Sequence, residues 1–403
     1  MISDVCVLRN IMIVNDELIK ITNTYPTPVY VFDENEVAER AKQIKGIMKN
    51  CRLCYSIKAN PFLIPALSLI VDYFEVCSPG ELAICKNLKV SPEKIIYSGV
   101  HKDLSDTTEA IEYGVAIITA ESLIHMEHIR DAANRLNRHV DAILRLTSGT
   151  QFGMSLDDIN KILSEPNPSV NIIGLHYFAG TGRKQNRKRV EELEMLTDTI
   201  EKLRNEYNLE LPMLEYGPGL PYPYFTDEDH SDTLAPMREL APYLEKTSAI
   251  CRLSVEMGRF IASSCGYYMT SVCDIKRSND TNWCIIDGGI NHVNYLGQMM
   301  GMKVPVIFHF RDGVLLDDAG GDNYTVCGSL CTTNDILIRS VGFDDLRIGD
   351  VLVFSNIGAY SVTESMGLFL SRSLPRVVMY QNGNATLARD LTETWRINSQ
   401  DIR

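Results

Sequence analysis

Tyr55-Ser56-Ile57-Lys58-Ala59-Asn60-Pro61 is the stretch from which the rest of the chain can be interpreted. It places Lys58 at the end of a short apolar run, which predicts a buried strand closed by an Asn-Pro turn. Ammonium groups are rarely buried without a partner or a function, and burial lowers the pKa of an amine so that it can form a Schiff base. A lone strand lysine is more often a surface residue whose stem covers apolar groups.

Composition narrows the class of protein. The 403 residues are 45% hydrophobic with a net charge of −13, which allows two domains and argues against nucleic acid as a partner. No apolar run approaches the about 20 residues that span a bilayer, so no membrane partner is expected. The beginning, Met1-Ile2-Ser3-Asp4, lacks a basic signal region, and eleven cysteines without such a signal are typical of reduced thiols. A cytoplasmic protein is therefore expected.

Strand and helix patterns alternate along the first two thirds of the chain. Val29-Tyr30-Val31-Phe32 indicates a strand, and a helical pattern runs from Asn35 to about Lys49. Further candidate strands lie at 53–58, 73–77, 95–98, 116–119, 141–146, 172–178, 213–217 and 253–256. So many βα units in succession favour a (β/α)₈ TIM-like barrel over an open sheet.

Beyond about residue 262 the patterns become β-rich, which predicts a C-terminal all-β domain. Short β-like runs at Cys6-Val7-Leu8 and from Asn15 to Ile21 would join it. The predicted domains are therefore the barrel at 29–261 and a β domain made of 1–28 and 262–403.

Chemically useful residues gather where the predicted barrel strands end, the face on which barrels carry their chemistry. These ends read Lys58, Glu75-Val76-Cys77-Ser78, Ser98-Gly99, Arg145, His176 to Gly182, Gly217-Pro218-Gly219 and Glu256-Met257-Gly258-Arg259. Glycine loops let backbone N–H groups approach an anion, and an arginine can pair with phosphate. A lysine, anion-binding loops and a carboxylate are together what pyridoxal 5'-phosphate requires. Each loop alone has an ordinary explanation, because glycines also end barrel strands for steric reasons.

The motifs resemble those of the fold-type-III pyridoxal-phosphate decarboxylases, the group of ornithine and diaminopimelate decarboxylases, over nearly the whole chain. Residues 55–60 resemble Y-[AS]-[VL]-K-A-N, and residues 256–259 resemble E-P-G-R. Other likenesses are residues 74–81 to the second-strand motif, 217–219 to G-G-G, 328–331 to G-P-x-C and 358–360 to G-A-Y.

This resemblance implies the cofactor, the site and the assembly. Lys58 would form the aldimine with pyridoxal 5'-phosphate, Glu256 would pair with the pyridine nitrogen, and Phe178 would cover the ring. Further cofactor contacts are implied for Glu75, Arg145, Thr181, Gly217, Gly219, Arg259 and Tyr360. The family builds its active site at a homodimer interface, where the cysteine corresponding to Cys331 comes from the partner subunit and acts as the acid. No metal is expected.

Four departures from the family pattern concern the cofactor and the substrate. Phe178 replaces the usual ring-stacking histidine and cannot titrate, while Thr181 can replace the phosphate-binding serine. Thr332 stands where relatives carry an acid that binds the substrate's distal group, and the next acid is Asp335. After Asp287-Gly288-Gly289 there is no substrate-binding arginine. The combination of an aromatic residue at 178, Thr181, and Cys331 followed by Thr332 resembles the butirosin-pathway branch, whose substrate is a glutamyl unit on a carrier protein. An acyl or peptidyl carrier protein is therefore an expected partner beside a free amino acid.

Three activities fit the motifs. The leading one is decarboxylation, in which the electrons of the departing carboxylate enter a protonated ring in a quinonoid intermediate. A racemase of the same fold places an arginine at the ring nitrogen, so Glu256 speaks against it. A silent binder resembling antizyme inhibitor would keep the fold without the chemistry, and would stay colourless with added cofactor.

Overall fold

The computed structural model describes residues 15–318 and 320–400. The chain forms two compact units. The barrel unit comprises Glu39–Pro221 and Leu234–Ile261, and the sheet unit comprises the described parts of Met1–Ala38, Tyr222–Thr233 and Ala262–Arg403. The predicted domain ranges differ from these units at residues 29–38 and 222–233, which lie in the sheet unit.

The described chain begins with helix α1 (Asn15–Thr24), strand β1 (Val29–Asp33) and helix α2 (Glu34–Met48). The expectation of a β-like run from Asn15 to Ile21 is therefore wrong, and Cys6-Val7-Leu8 lies outside the described residues. The strand expected at residues 29–32 is present, but it pairs with two strands of the sheet unit, antiparallel to one and parallel to the other. Asp33 then caps α2 by accepting the backbone N–H groups of Asn35 and Glu36.

Eight parallel strands close the barrel, as the sequence predicted. They are β2 (Arg52–Ser56), β3 (Tyr73–Val76), β4 (Ile95–Tyr97), β5 (Ile117–Ala120), β6 (Val140–Arg145), β7 (Val170–Phe178), β8 (Met213–Gly217) and β9 (Arg252–Met257). Nearly every position is buried because helices cover the outside of the sheet and side chains fill its inside.

Helices follow the strands. They are α3 (Ile64–Leu67), α4 (Pro79–Asn87), α5 (Leu104–Tyr113), α6 (Leu123–Leu136), α7 (Leu156–Ser164), α8 (Asn186–Tyr207), α9 (Ala235–Ser248) and α10 (Arg259–Ala262). Four of them begin at a side chain that accepts the N–H three residues further on: Ser78, Asp103, Ser122 and Ser155. These caps fix where each helix starts after its strand-end loop.

The sheet unit is built on one mixed ten-stranded sheet, which includes β1. Its other strands are β10 (Gly266–Ser278), β11 (Thr281–Ile286), β12 (Ile307–Arg311), β13 (Val314–Leu315), β14 (Asp322–Cys327), β15 (Ile336–Phe343), β16 (Val351–Phe354), β17 (Arg376–Gln381) and β18 (Asn384–Arg389). The main path runs β13-β12-β16-β10-β1-β17-β18, and β10 continues through β11 and β14 to β15. A short helix, α11 (Ser361–Glu364), follows β16.

The predicted fold class, a barrel with a C-terminal β domain, is confirmed. Within the described residues, no helix is both long enough and apolar enough to cross a membrane.

Candidate active site

Lys58 lies in the turn that directly follows a barrel strand. β2 ends at Ser56, and a 3₁₀ turn spans Ile57–Ala59 before Asn60, whose side chain accepts the N–H of Phe62. The strand is thus shorter than the expected 53–58. Asn60 and Pro61 close the turn, so the predicted Asn-Pro stop is confirmed and Lys58 is held at the strand-end face of the barrel.

Two carboxylates flank the Lys58 amine. Its Nζ lies 2.6 Å from Glu75 Oε2 and 3.6 Å from Glu256 Oε1. These three residues come from neighbouring strands, because Ser56 is opposite Glu75 and Cys54 is opposite Glu256 in the parallel pairings. The side chain of Lys58 is 37% exposed, so it is not buried as the apolar run around it suggested. The carboxylates instead attract and orient the ammonium group.

Glu256 is a buried anion with donors on both oxygens. Ser56 Oγ donates to Oε1 over 3.1 Å, and His176 Nε2 lies 3.0 Å from Oε2. Burial alone would raise the pKa of Glu256, but the charge of Lys58 and the hydrogen bond from His176 outweigh it and hold the pKa well below its usual range. A permanently ionised carboxylate is what a protonated pyridine nitrogen needs as a partner.

His176 was named in the sequence only as the start of a strand-end run, without a role. It lies two residues before Phe178 on β7, so the two side chains share one face of the strand. Its Nε2 faces the ionised Glu256 and therefore carries a proton, whereas its Nδ1 is buried without a partner among the described residues. Side chains alternate between the two faces of a strand, so residues 176 and 178 share a face of β7. This alternation was the sequence signal that could have identified His176.

Glu215 was not predicted at all. It is fully buried in β8, opposite His176, and neither of its oxygens has a partner of normal hydrogen-bond geometry among the described residues. Burial raises the pKa of Glu215 well above its usual range, and the charges of Glu256 and Glu75 raise it further. The surroundings therefore favour the neutral acid at Glu215 and the carboxylate at Glu256.

The two glycine-containing loops lie in direct contact. Gly219 has φ +57°, and a Cβ there would overlap the carbonyl oxygen of Gly180. A Cβ at Gly217 would overlap the ring of Phe178, its register partner on β7. Only glycine permits both approaches, so the loops predicted to bind phosphate form one surface with Phe178 at its edge and Thr181 exposed beside it.

Arg145 and Arg259 are both buried near strand ends. Arg145 pairs with Glu121 over 2.8 Å and stacks on Phe152, while Arg259 opens α10 directly after β9. A second lysine, Lys102, follows β4 and was missed; its Nζ donates to the Gly99 carbonyl, and burial lowers its pKa to about 8.

The remaining predicted residues belong to the sheet unit. Cys331 is exposed, Thr332 is half-buried, and Tyr360 has φ +70° directly before α11. Asp335 is buried, and its two oxygens accept the N–H groups of Ile290 and Leu330. Its carboxylate is therefore engaged in holding two loops. The described residues contain no cluster of three or more potential metal ligands.

Comparison with known proteins shows to which family the chain belongs. The family described as "Pyridoxal-dependent decarboxylase, pyridoxal binding domain" matches residues 34–263. The chain belongs to this family. It is a pyridoxal-phosphate-dependent decarboxylase, and the region matched contains Lys58, both glycine loops and Glu256.

Individual relatives cover almost the whole chain. The L-glutamyl-[BtrI acyl-carrier protein] decarboxylase of Niallia circulans is 25% identical, with 93% of each chain covered. The diaminopimelate decarboxylase of Aquifex aeolicus is 24% identical, covering 92% of this chain and 90% of the relative. The fold matches the crystal structure of diaminopimelate decarboxylase from M. jannaschii with L-lysine at a TM-score of 0.84 and 22% identity, over 96% of this chain and 94% of that one.

The barrel residues fit pyridoxal phosphate. An amine, a buried ionised carboxylate and a two-loop glycine surface with a neighbouring aromatic ring are present in one unit. These are the groups that can hold the aldehyde, the ring nitrogen and the phosphate of that cofactor.

Proposed function

We propose that this decarboxylase removes the α-carboxylate of an amino acid, or of an aminoacyl group tethered to a carrier protein, as CO₂. The observation that carries the proposal is the ionised Glu256 held by Ser56 and His176 within 3.6 Å of the Lys58 amine. When bound, pyridoxal phosphate supplies a ring that accepts the electron pair left on Cα.

The chain's own groups have separate tasks in this proposal. Lys58 binds the cofactor's aldehyde carbon, and Glu75 orients the amine through the 2.6 Å contact. Glu256 holds a proton on the ring nitrogen, and His176 keeps Glu256 ionised by donating from Nε2. Phe178 excludes water from one face of the ring. Gly217, Gly219, Thr181, Arg259 and Tyr360 hold the phosphate, and Arg145 supports the site from β6.

Residues of the sheet unit act on the substrate. Cys331 returns a proton to Cα after CO₂ has left, and Thr332 contacts the distal part of the substrate. Because Asp335 already accepts two backbone N–H groups, it is poorly suited to bind a distal amine. This favours a substrate whose distal end is neutral, such as an acyl group on a carrier, and the relative from Niallia circulans acts on such a substrate by name.

The experiment is CO₂ release from a panel of free and carrier-tethered amino acids, combined with Lys58→Ala. We expect turnover to fall by several orders of magnitude, because the covalent attachment of the cofactor is lost. Borohydride reduction and peptide mapping should place the pyridoxyl group on Lys58 in the wild type and nowhere in Lys58→Ala.

The matched control is Lys102→Met, which removes the second strand-end lysine and should leave the pyridoxyl group on Lys58. Label on Lys102 in the wild type would overturn the assignment of Lys58. Inversion of Cα without CO₂ release would support the racemase alternative instead, and a wild type that takes up no label would support the silent binder.

A further inference from the structure

Arg189 is a fully buried guanidinium in the first turn of α8. Its Nε donates to the carbonyl of Pro218 over 2.9 Å, and its Nη2 donates to the carbonyl of Arg183. Pro218 lies in the loop after β8, whereas Arg183 directly follows the loop after β7. The Arg189 side chain therefore connects the two glycine loops through hydrogen bonds to the carbonyls of Pro218 and Arg183.

Arg183 reinforces the same connection. Its Nη2 donates to Pro218 over 3.0 Å, and its backbone N–H donates to the carbonyl of Gly219 over 3.0 Å. Glu192 of α8 holds this guanidinium through both oxygens and also accepts the Tyr216 hydroxyl over 2.7 Å. The Pro218 carbonyl thus accepts from two guanidinium groups at once.

The arrangement leaves positive charge behind the loops. Among Arg183, Arg189 and Glu192, two positive charges face one negative charge, so one positive charge is left over within these three residues. Glu239 of α9 is the other acid that acts on Arg189 from a packed element, while Glu191 is paired with the exposed Arg187. Cations at the N-terminal turn of a helix also oppose its dipole, so an anion nearby would stabilise them.

The positive charge of Arg183 and Arg189 affects the opposite side of the loop through the Pro218–Gly219 peptide bond. In a trans peptide the C=O and N–H groups point in opposite directions, so the N–H of Gly219 points away from the guanidinium pair that binds the Pro218 carbonyl. Pro218 has no N–H of its own, so the loop offers fewer donors than three glycines would. Two guanidinium donors on the Pro218 carbonyl polarise the Pro218–Gly219 peptide and so strengthen the Gly219 N–H as a donor.

We propose that Arg183 and Arg189 are positioning residues that lock the two glycine loops into one phosphate-binding surface and supply the charge that favours the cofactor's phosphate. This rests on the proposed function, in which the loops hold that phosphate. Neither arginine needs to touch the cofactor, since both act through the Pro218 and Arg183 carbonyls.

The test compares pyridoxal 5'-phosphate with pyridoxal, which lacks the phosphate. Affinities for the apo protein are measured by absorbance titration for the wild type, Arg189→Met, Arg183→Met and a matched control, Arg135→Met, at an exposed arginine of α6 paired with Asp131. Losing hydrogen bonds to a charged group should weaken binding of the phosphorylated form about tenfold or more in both loop variants. Pyridoxal affinity should change less than about twofold in the same variants.

Three outcomes decide the matter. A selective loss for the phosphorylated form in a folded variant, with Arg135→Met unchanged, supports the proposal. An equal loss for both forms, or no loss, overturns it; Arg183→Met, whose side chain is partly exposed, decides the case if Arg189→Met does not fold. A wild type that binds both forms equally would instead remove the phosphate site of the proposed function itself.

Discussion

At the scale of single residues, two buried glutamates in one barrel have pKa values shifted in opposite directions. Glu256 is ionised because Lys58 and His176 stabilise its charge, whereas Glu215 is kept neutral by burial and by the neighbouring anions Glu256 and Glu75. The environment of each carboxyl group, rather than its residue type, thus decides which one can serve a protonated ring nitrogen.

Glu215→Gln should increase the free energy of unfolding, and the increase should grow with pH. Above the ordinary pKa of a glutamate, the folded protein keeps a proton on Glu215 that the unfolded chain releases, so stability falls as pH rises. The slope is at most about 1.4 kcal/mol per pH unit for one proton. Denaturant unfolding of the apo protein between pH 5 and 8 measures it, with the exposed Glu127→Gln as control. A difference between variant and wild type that stays constant over this range would show that Glu215 is ionised.

The sequence could predict Lys58 and Glu256 but not their surroundings. Lys58 is conspicuous because a charge interrupts an apolar run, and Glu256 begins a motif with Gly258 and Arg259. His176 and Glu215 each lie inside a buried strand, next to motifs that point to other residues, and their role depends on which strands are neighbours. That information comes only from barrel closure.

At the scale of elements, the buried parallel strands were the most predictable part of the fold. Their continuous apolar runs have no other stable place than the inside of a layered barrel. α1 was mistaken for a β-like run because Leu18, Ile19 and Ile21 fit either period over so short a segment. β1 was correctly read as a strand, but its partners β10 and β17 are far away in sequence, so its place in the sheet unit could not be read locally.

The basic residues at and just before the start of helix α8 have two different roles. Five cations lie between residues 183 and 189, and the sequence leaves two interpretations open, a solvated helix start or a basic rim for an acidic carrier protein. In the structure Arg183 and Arg189 turn inward to the glycine loops, whereas Lys184, Arg187 and Lys188 are exposed. The Arg187–Glu191 pair is a surface ion pair of small energy, so Arg187 can still attract an acidic partner.

Arg187→Glu with Lys188→Glu should therefore slow turnover of a carrier-tethered substrate and leave a free amino acid nearly unaffected. Charge on a rim acts mainly on the association rate, so the loss should appear in kcat/KM and shrink as salt increases. The control is Lys202→Glu, an exposed lysine near the other end of α8. Equal losses on both substrates, or efficient wild-type turnover of a free amino acid alone, would leave a small-molecule decarboxylase.

At the scale of the whole molecule, the proposed site residues divide between two units. Lys58, Glu75 and Glu256 lie in the barrel unit, and Cys331 and Tyr360 lie in the sheet unit. The sheet unit also exposes large apolar side chains: Met299, Met302, Met366, Phe369, Trp395 and Ile397. Exposed apolar groups in such number are typical of protein interfaces, which supports the proposed homodimer.

If the dimer shares its sites, Lys58 and Cys331 of different subunits form one site, and complementation between two inactive variants should reveal it. Lys58→Ala and Cys331→Ala are each expected to be inactive alone. After subunit exchange, half of the random dimers are mixed, and each mixed dimer holds one intact site out of two, so about a quarter of wild-type activity should return. Mass spectrometry of differently tagged subunits confirms that exchange took place, and two batches of Lys58→Ala mixed together serve as the control. Activity that stays absent after proven exchange would place Lys58 and Cys331 of the same subunit in one site, because then every site in a mixed dimer carries one of the two substitutions.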